Sequence, residues 1–349
     1  MKTKNLATVY AIAAAALYAI NVPFSKILLG YIEPTMMASL LYLGAGLGML
    51  AYNMISKSTG KAVTTEPLTK TELPYTIAMV VLDIIAPILL MFGIRFSYAA
   101  NVSLINNFEI VATSLIALVV FKEIISRRLW IAIGLVTVAS IILSFEGAGA
   151  FTFNIGSLYV FGACLCWGIE NNCTRMISNK SSIEIVVIKG TFSGLGSLIV
   201  ALTVGERIPA PLWVLCALLL GFVAYGLSIY FYIMAQKELG AAKTSAYYSI
   251  APFLGVAFGI LFLGERPGFQ FYAALAVMVV STYIMVKDTI ELQHTHEHSH
   301  THTHEHCHGD MIHSHEHTHT HSHIHVHGED SKNHDHHHKT MEHDHLHAT

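Results

Sequence analysis

Ten long apolar runs fill most of the first 290 residues and constrain the fold more than any other feature. A bilayer core about 30 Å thick takes roughly 20 residues of helix to cross. Backbone N–H and C=O groups in hydrocarbon find no water, so each isolated run has to satisfy them internally as a helix. The runs span 6–29, 35–55, 75–96, 102–121, 129–145, 155–177, 183–204, 212–235, 244–263 and 269–286. The expectation is an all-α membrane protein with ten transmembrane helices. Composition excludes a soluble alternative: hydrophobic residues make up 53% and charged residues 12% of the chain, the latter about half the usual soluble share. Lys2 and Lys4 before the first run imitate a signal peptide. The run is too long for one and has no A-x-A site before polar sequence, so it reads as the first membrane helix.

Basic residues set the orientation. With the N-terminus in the cytoplasm, thirteen lysines and arginines lie at cytoplasmic ends, Lys57, Lys122, Arg127, Arg175 and Lys237 among them; only Lys26, Arg95, Arg207 and Arg266 lie opposite. The expected location is the cytoplasmic (inner) membrane, multi-pass, with both termini in the cytoplasm. The basic residues form no stripe, which argues against a nucleic-acid partner. Five scattered cysteines make no disulfide framework.

The chain repeats internally. Residues 100–143 overlie 242–285 at a shift of 142 without gaps, matching Ser103 with Ser245 and Glu123 with Glu265. The first helices align at a shift of 149: Tyr18-Ala19-Ile20-Asn21 meets Trp167-Gly168-Ile169-Glu170, and Lys26 meets Arg175. Five helices per half is an odd number, so the second copy would be inserted upside down, an architecture that sets a solute site near the midplane. The expected domains are a first five-helix repeat at 1–147, a second at 148–288 and a tail at 289–349.

The tail is a different material. All 23 histidines lie between His294 and His347. The first array is His294, His296, His298, His300, His302, His304, His306 and His308; the second is His313, His315, His317, His319, His321, His323, His325 and His327. With almost no apolar content the tail is expected to be disordered and cytoplasmic. Neutral imidazole is the commonest metal ligand, so these sixteen residues are candidate ligands for Zn, Ni, Co or Cu ions. No other cofactor is called for.

Charges in mid-membrane cost at least roughly 2.5–3.5 kcal/mol each and mark partners or water-filled cavities. Asp83, Glu109, Glu170 and Lys189 are such residues. Glu170 and Lys189 lie at one depth and suit an ion pair, either as glue between helices or as a coupling site. Asn21 and Asn171 add neutral hydrogen-bonding groups, and Trp167 and Tyr247 aromatic ones, as candidate substrate-binding or coupling residues. Tyr18, Tyr225 and Tyr248 are further candidates for a cavity wall. Cys166, Glu170 and Cys173 share a helical face at i, i+4 and i+7, which could pass a soft metal. Pro23, Pro87 and Pro252 are expected to kink their helices. Gly44–Gly48, Gly190–Gly194 and Gly255–Gly259 have the spacing of close helix approach.

The ten runs, the aromatic-small-x-polar opening of each half, Lys122-Glu123 and Gly264-Glu265 closing the fourth helix of each half, and Ala251-Pro252 together resemble the EamA family of the drug/metabolite transporter superfamily, over about residues 5–287. The stretch from Trp167 to Arg175, followed by Ile188-Lys189-Gly190, is similar to a subgroup whose tails are His-rich. The resemblance implies a bundle around a central cavity that opens alternately to each side. Three departures stand out: Glu109-Ile110 where the family has a proline, Leu40-Leu41-Tyr42 where it has an arginine, and Glu170-Asn171-Asn172 in the sixth helix. No G-x-x-x-x-G-K-[ST] occurs, which excludes a P-loop ATPase. The expected function is therefore non-enzymatic: a secondary transporter of a small solute or metal ion, linked to transition metals through the tail. The alternatives are a metabolite or amino-acid exporter with a metal-responsive tail, and a membrane-tethered metal store.

Overall fold

The computed structural model describes residues 2–58, 68–121, 126–146, 152–177, 180–239, 244, 247–308 and 311–326. The chain divides into two compact units, Met1–Glu291 and Leu292–Thr349.

The first unit is a helical bundle. Its first part comprises α1 (Lys2–Ala19), α2 (Asn21–Leu28), α3 (Pro34–Ser58), α4 (Leu73–Phe96), α5 (Ala99–Ile105), α6 (Phe108–Phe121) and α7 (Arg127–Leu143). Two-residue strands β1 (Phe145–Glu146) and β2 (Thr152–Phe153) pair antiparallel beyond α7. Then follow α8 (Ile155–Met176), α9 (Ser182–Thr203), α10 (Pro211–Gly221), a π-helical turn over Phe222–Leu227, and α11 (Ser228–Leu239). The last two helices are α12 (Ala251–Leu263) and α13 (Phe269–Leu292).

Seven helical stretches among the described residues are long and apolar enough to cross a membrane: Leu6–Leu28, Pro34–Ser56, Lys70–Phe96, Ala99–Val120, Ile183–Thr203, Pro211–Tyr232 and Phe269–Lys287. Ten were expected. The other three sites hold helices that fall short for separate reasons. α7 has 17 residues, α12 has 13, and α8 is long enough but carries the polar stretch Glu170-Asn171-Asn172.

Several helices are interrupted, and each break has a local cause. Pro23 has no N–H to give the carbonyl of Ala19, and α1 ends there. Asn106-Asn107 separate α5 from α6, with Asn107 Nδ2 donating to Leu104 O at 3.1 Å; asparagine side chains compete with the helical ladder in this way. Pro252 lies in the first turn of α12. Pro87, by contrast, sits inside an unbroken α4.

Helix pairs α3–α9, α4–α8, α1–α11 and α6–α8 form the main contacts of the bundle, with α3–α10 and α5–α12 next. Glycines set the closest approach. A Cβ on Gly190 would overlap the backbone of Gly46, one on Gly44 the carbonyl of Leu218, and one on Gly221 the carbonyl of Leu41. Ser39 Oγ donates to Gly194 O across the α3–α9 seam at 2.9 Å. The glycine spacings thus pack helices, as small residues do in membranes.

Charged side chains tie helix ends at one end of the bundle. Glu265 accepts from Ala99 N at 2.6 Å and Ala100 N at 2.9 Å, the free donors that start α5. Its reach depends on Gly264, the left-handed cap of α12 at φ 64°. Glu206 holds the start of α3 similarly, accepting from Thr35 N at 3.1 Å and Met36 N at 2.6 Å. The ammonium of Lys26 donates to the carbonyls of Ile94 (2.5 Å), Arg95 (3.1 Å) and Ser97 (2.7 Å), closing the end of α4. Lys122 and Glu123, the first-half counterparts in the repeat, lie outside the described residues.

The second unit holds two strands. β3 (Gln293–His308) and β4 (Met311–Val326) form an antiparallel hairpin. The alternation of His with Thr, Ser and Glu has the period of a strand, and Thr favours strands. The register sets histidine opposite histidine in seven pairs, from His294↔His325 to His306↔His313. Residues 327–349, His327 included, lie outside the described residues.

Two substitutions test these contacts by thermal melting of the detergent-purified protein. Gly190→Ala is expected to destabilise by about 1–3 kcal/mol through overpacking; an unchanged melt would mean that α3 and α9 are not held this closely. Glu265→Ala should cost about 1–3 kcal/mol by leaving two helix-start donors unpaired, and Glu265→Gln, which keeps one acceptor, should cost less.

Candidate functional site

The helix interruptions converge. A cavity of about 540 Å³ is lined by Tyr18 at the end of α1, by Asn106, Asn107 and Glu109 at the α5–α6 break, by Asn171 of α8, and by Tyr248, Ser249 and Pro252 before and in α12. Tyr232, Thr113, Leu129, Met285 and Val286 complete much of the wall. Leu129 begins α7, and Met285 and Val286 lie about 25 Å along α13 from its start beside Glu265. The cavity therefore reaches the end of the bundle opposite the Glu265 and Lys26 clamps. Backbone breaks at membrane depth are tolerated where they line such a space.

Glu109 is the charged group of the lining. Asn171 Nδ2 donates to its Oε1 at 2.8 Å and to Thr113 Oγ1 at 3.2 Å. No lysine or arginine pairs with Glu109 among the described residues. Three tyrosines form an aromatic wall: Tyr18 and Tyr248 have ring centroids 5.9 Å apart, and Tyr232 meets Tyr248 edge-on at 5.1 Å.

From that wall a polar and aromatic chain runs into the bundle. Tyr18 abuts Tyr225 at 6.0 Å, and the Tyr225 hydroxyl accepts from Asn21 Nδ2 at 2.9 Å. Tyr225 lies in the π-helical turn, whose wider winding is frequent at functional sites. Tyr42 packs on Tyr225 at 5.4 Å and donates its hydroxyl to Asp83 Oδ1 at 3.0 Å. Trp167 Nε1 donates to the same oxygen at 3.3 Å. The Lys189 ammonium then stands between two carboxylates, 3.1 Å from Asp83 Oδ2 and 3.0 Å from Glu170 Oε1. Thr174 Oγ1 donates to Glu170 as well. With all three ionised, this cluster of one ammonium and two carboxylates carries an excess negative charge inside the membrane.

The predicted residues thus separate into two groups. Glu109 and Asn171 meet at the cavity; Asp83, Trp167, Glu170 and Lys189 form the buried ion cluster; Asn21 joins the two through Tyr225. Lys189 was matched by depth with Glu170 alone, and the structure adds Asp83. The cue was available: α4 starts, α8 ends and α9 starts at the same end, and Asp83, Glu170 and Lys189 lie comparable distances from it. Tyr247 is 40% exposed and does not line the cavity, whereas its neighbour Tyr248 does; adjacent helical positions differ by about 100°. Tyr42 and Thr113 had no sequence cue beyond their polarity. Among the described residues, no three His, Cys, Asp or Glu are grouped to hold a metal ion, so Cys166, Glu170 and Cys173 make no such site. The histidine side chains of the tail lie outside the described residues.

Comparison with known proteins agrees with this architecture. The EamA-like transporter family matches the chain twice, over residues 5–145 and 154–287. The chain belongs to the EamA-like transporter family. The two matched stretches hold the two sides of the cavity, with Glu109 in the first and Asn171 in the second. A relative from Methanothermobacter thermautotrophicus, described as an uncharacterized transporter, is 23% identical over 290 residues, covering 78% of this chain and 84% of its own. A solved crystal structure with 15% identity superposes with a TM-score of 0.61, covering 82% of this chain and 97% of that one, and shares the fold.

The ion cluster gives a direct test. Lys189→Met should destabilise by about 3–5 kcal/mol, because it strands two buried carboxylates. Adding Asp83→Asn and Glu170→Gln to Lys189→Met should recover much of that loss. Equal melting of the single and triple variants would show that the three groups do not act as a unit.

Proposed function

We propose that this EamA-like membrane transporter carries a small solute by alternating access, as a secondary carrier of ten crossings in two inverted halves. The cavity carries the reading: it is lined by broken helices from both matched stretches and reaches one end of the bundle, while charged side chains clamp the helix ends at the other. Discontinuous helices at the interface of two repeats are a recurrent setting for a solute site.

The helix contacts support the two-fold relation. Exchanging the halves turns α4–α8 into the pairing of α11 with α1 and of α10 with α2, and returns α3–α9 and α5–α12 to themselves. The excess of basic residues at one set of loops supports N- and C-termini in the cytoplasm of an inner-membrane protein. Domain limits at 147 and 288 fit between and after the matched stretches.

Within this scheme Glu109 and Asn171 flank the solute path, Asn21 links it through Tyr225 to the cluster that Trp167 helps to hold, and Asp83, Glu170 and Lys189 exchange a proton to couple it to a gradient. Glu170 and Asn171 are consecutive on α8. One helix therefore bears on both the cavity and the cluster, so a shift of α8 at one is felt at the other. The tail is a metal-binding element for Zn, Ni, Co or Cu ions. The register favours this, because two successive cross-strand pairs bring four histidines together, the number a tetrahedral site takes.

Flux into proteoliposomes tests both parts. Glu109→Gln and Glu170→Gln are each expected to lower solute flux at least about tenfold, the scale of one lost charged hydrogen bond. Unchanged flux in both would remove the assigned path. Deleting residues 292–349 should abolish metal binding by the tail and alter metal-dependent flux; flux and metal tolerance both unchanged would make metal peripheral to transport.

A further inference from the structure

We infer that the cavity takes an organic ammonium solute, a protonated amine with an apolar or aromatic body, and takes neither an anion nor a bare transition-metal ion. The inference rests on the transporter reading for the passage of that solute, but not for its binding.

Charge comes first. The lining contains one carboxylate, Glu109, and no lysine, arginine or histidine among the described residues. The carboxylate accepts from Asn171 and pairs with no cation there. A carboxylate in a low-dielectric setting is costly unless a cation or a proton balances it. An incoming ammonium supplies the balance, and an anion would add to the imbalance.

The wall adds the second argument. Tyr18, Tyr232 and Tyr248 line the same space, with Tyr248 in ring contact with the other two. Ammonium groups are drawn to aromatic faces when desolvated, and quaternary ones are recognised by cages of such rings. The carboxamides of Asn106 and Asn107 line the same space and bring acceptor oxygens for N–H bonds.

Size and donor type exclude the metal. About 540 Å³ is the volume of a small-molecule site. A first-row transition ion needs several donors at roughly 2.0–2.3 Å, and the borderline and soft ones select imidazole or thiolate. Neither group lines this cavity among the described residues. A metal-binding tail would therefore act on the carrier as a sensor or store, and metal would not share the path of the solute.

Equilibrium binding and proteoliposome flux, each on the full chain and on the chain lacking residues 292–349, test the assignment with four probes: phenethylamine, tetraethylammonium, phenylacetate and zinc ion. Saturable binding of an ammonium probe is expected with or without the tail. Glu109→Gln should weaken it about tenfold to a hundredfold, and Glu109→Asp should keep part of it, each variant first shown to melt like the parent. Phenylacetate binding as tight as phenethylamine, ammonium binding unchanged in Glu109→Gln, or no saturable ammonium binding would each overturn the inference. So would Glu109-dependent zinc binding by the tail-deleted chain. Ammonium binding without flux of any probe would instead sink the transporter reading and leave the ligand class standing. Flux of phenylacetate without ammonium binding would do the reverse.

Discussion

The Lys189 ammonium between Asp83 and Glu170 is the contact on which the bundle interior depends. Each of these groups alone would be expensive at membrane depth. Together they draw α4, α8 and α9 to one point, and Tyr42 brings in α3. The glycine seam between α3 and α9 gives the cluster its geometry, since Gly46 and Gly190 let the two backbones approach without side chains between them. Packing and charge thus set the same register. A slide of α9 by one turn would part Lys189 from its carboxylates and drive side chains into Gly46.

A second constraint acts on the other side of α8. Helices that run unbroken through lipid offer no polar backbone to a solute. Here α1 ends before Asn21, α5 ends at Asn106, and α12 begins only at Ala251, so several helix termini meet around one space. The tyrosines and Asn171 line that space with them. The Tyr18–Tyr225–Tyr42 series joins that space to the ion cluster through rings in contact. Displacement at either end therefore has a packed route to the other.

Much of this was legible in the chain. Apolar run length located the helices, and a charge count singled out Asp83, Glu109, Glu170 and Lys189. Depth counting paired Lys189 with Glu170, because both lie near ends of consecutive helices. The same count would have included Asp83. Tyr247 and Tyr248 were both candidates, and only Tyr248 lines the cavity, because two adjacent tyrosines in the sequence give no hint of which faces inward.

What the sequence by itself determined is the class of protein and the inventory of its chemistry. Lipid leaves an apolar run of twenty residues few options, and charged residues inside such runs are too costly to be incidental. Tertiary structure decided which of them meet. Glu109 and Glu170 look alike in the sequence, each a lone carboxylate in an apolar helix. One faces a tyrosine-walled cavity with an amide for a partner, and the other shares an ammonium with Asp83. That difference arises from helix rotation, which depends on contacts between segments far apart in the chain, whereas the breaks at Asn106 and Ile20 follow from residues beside them.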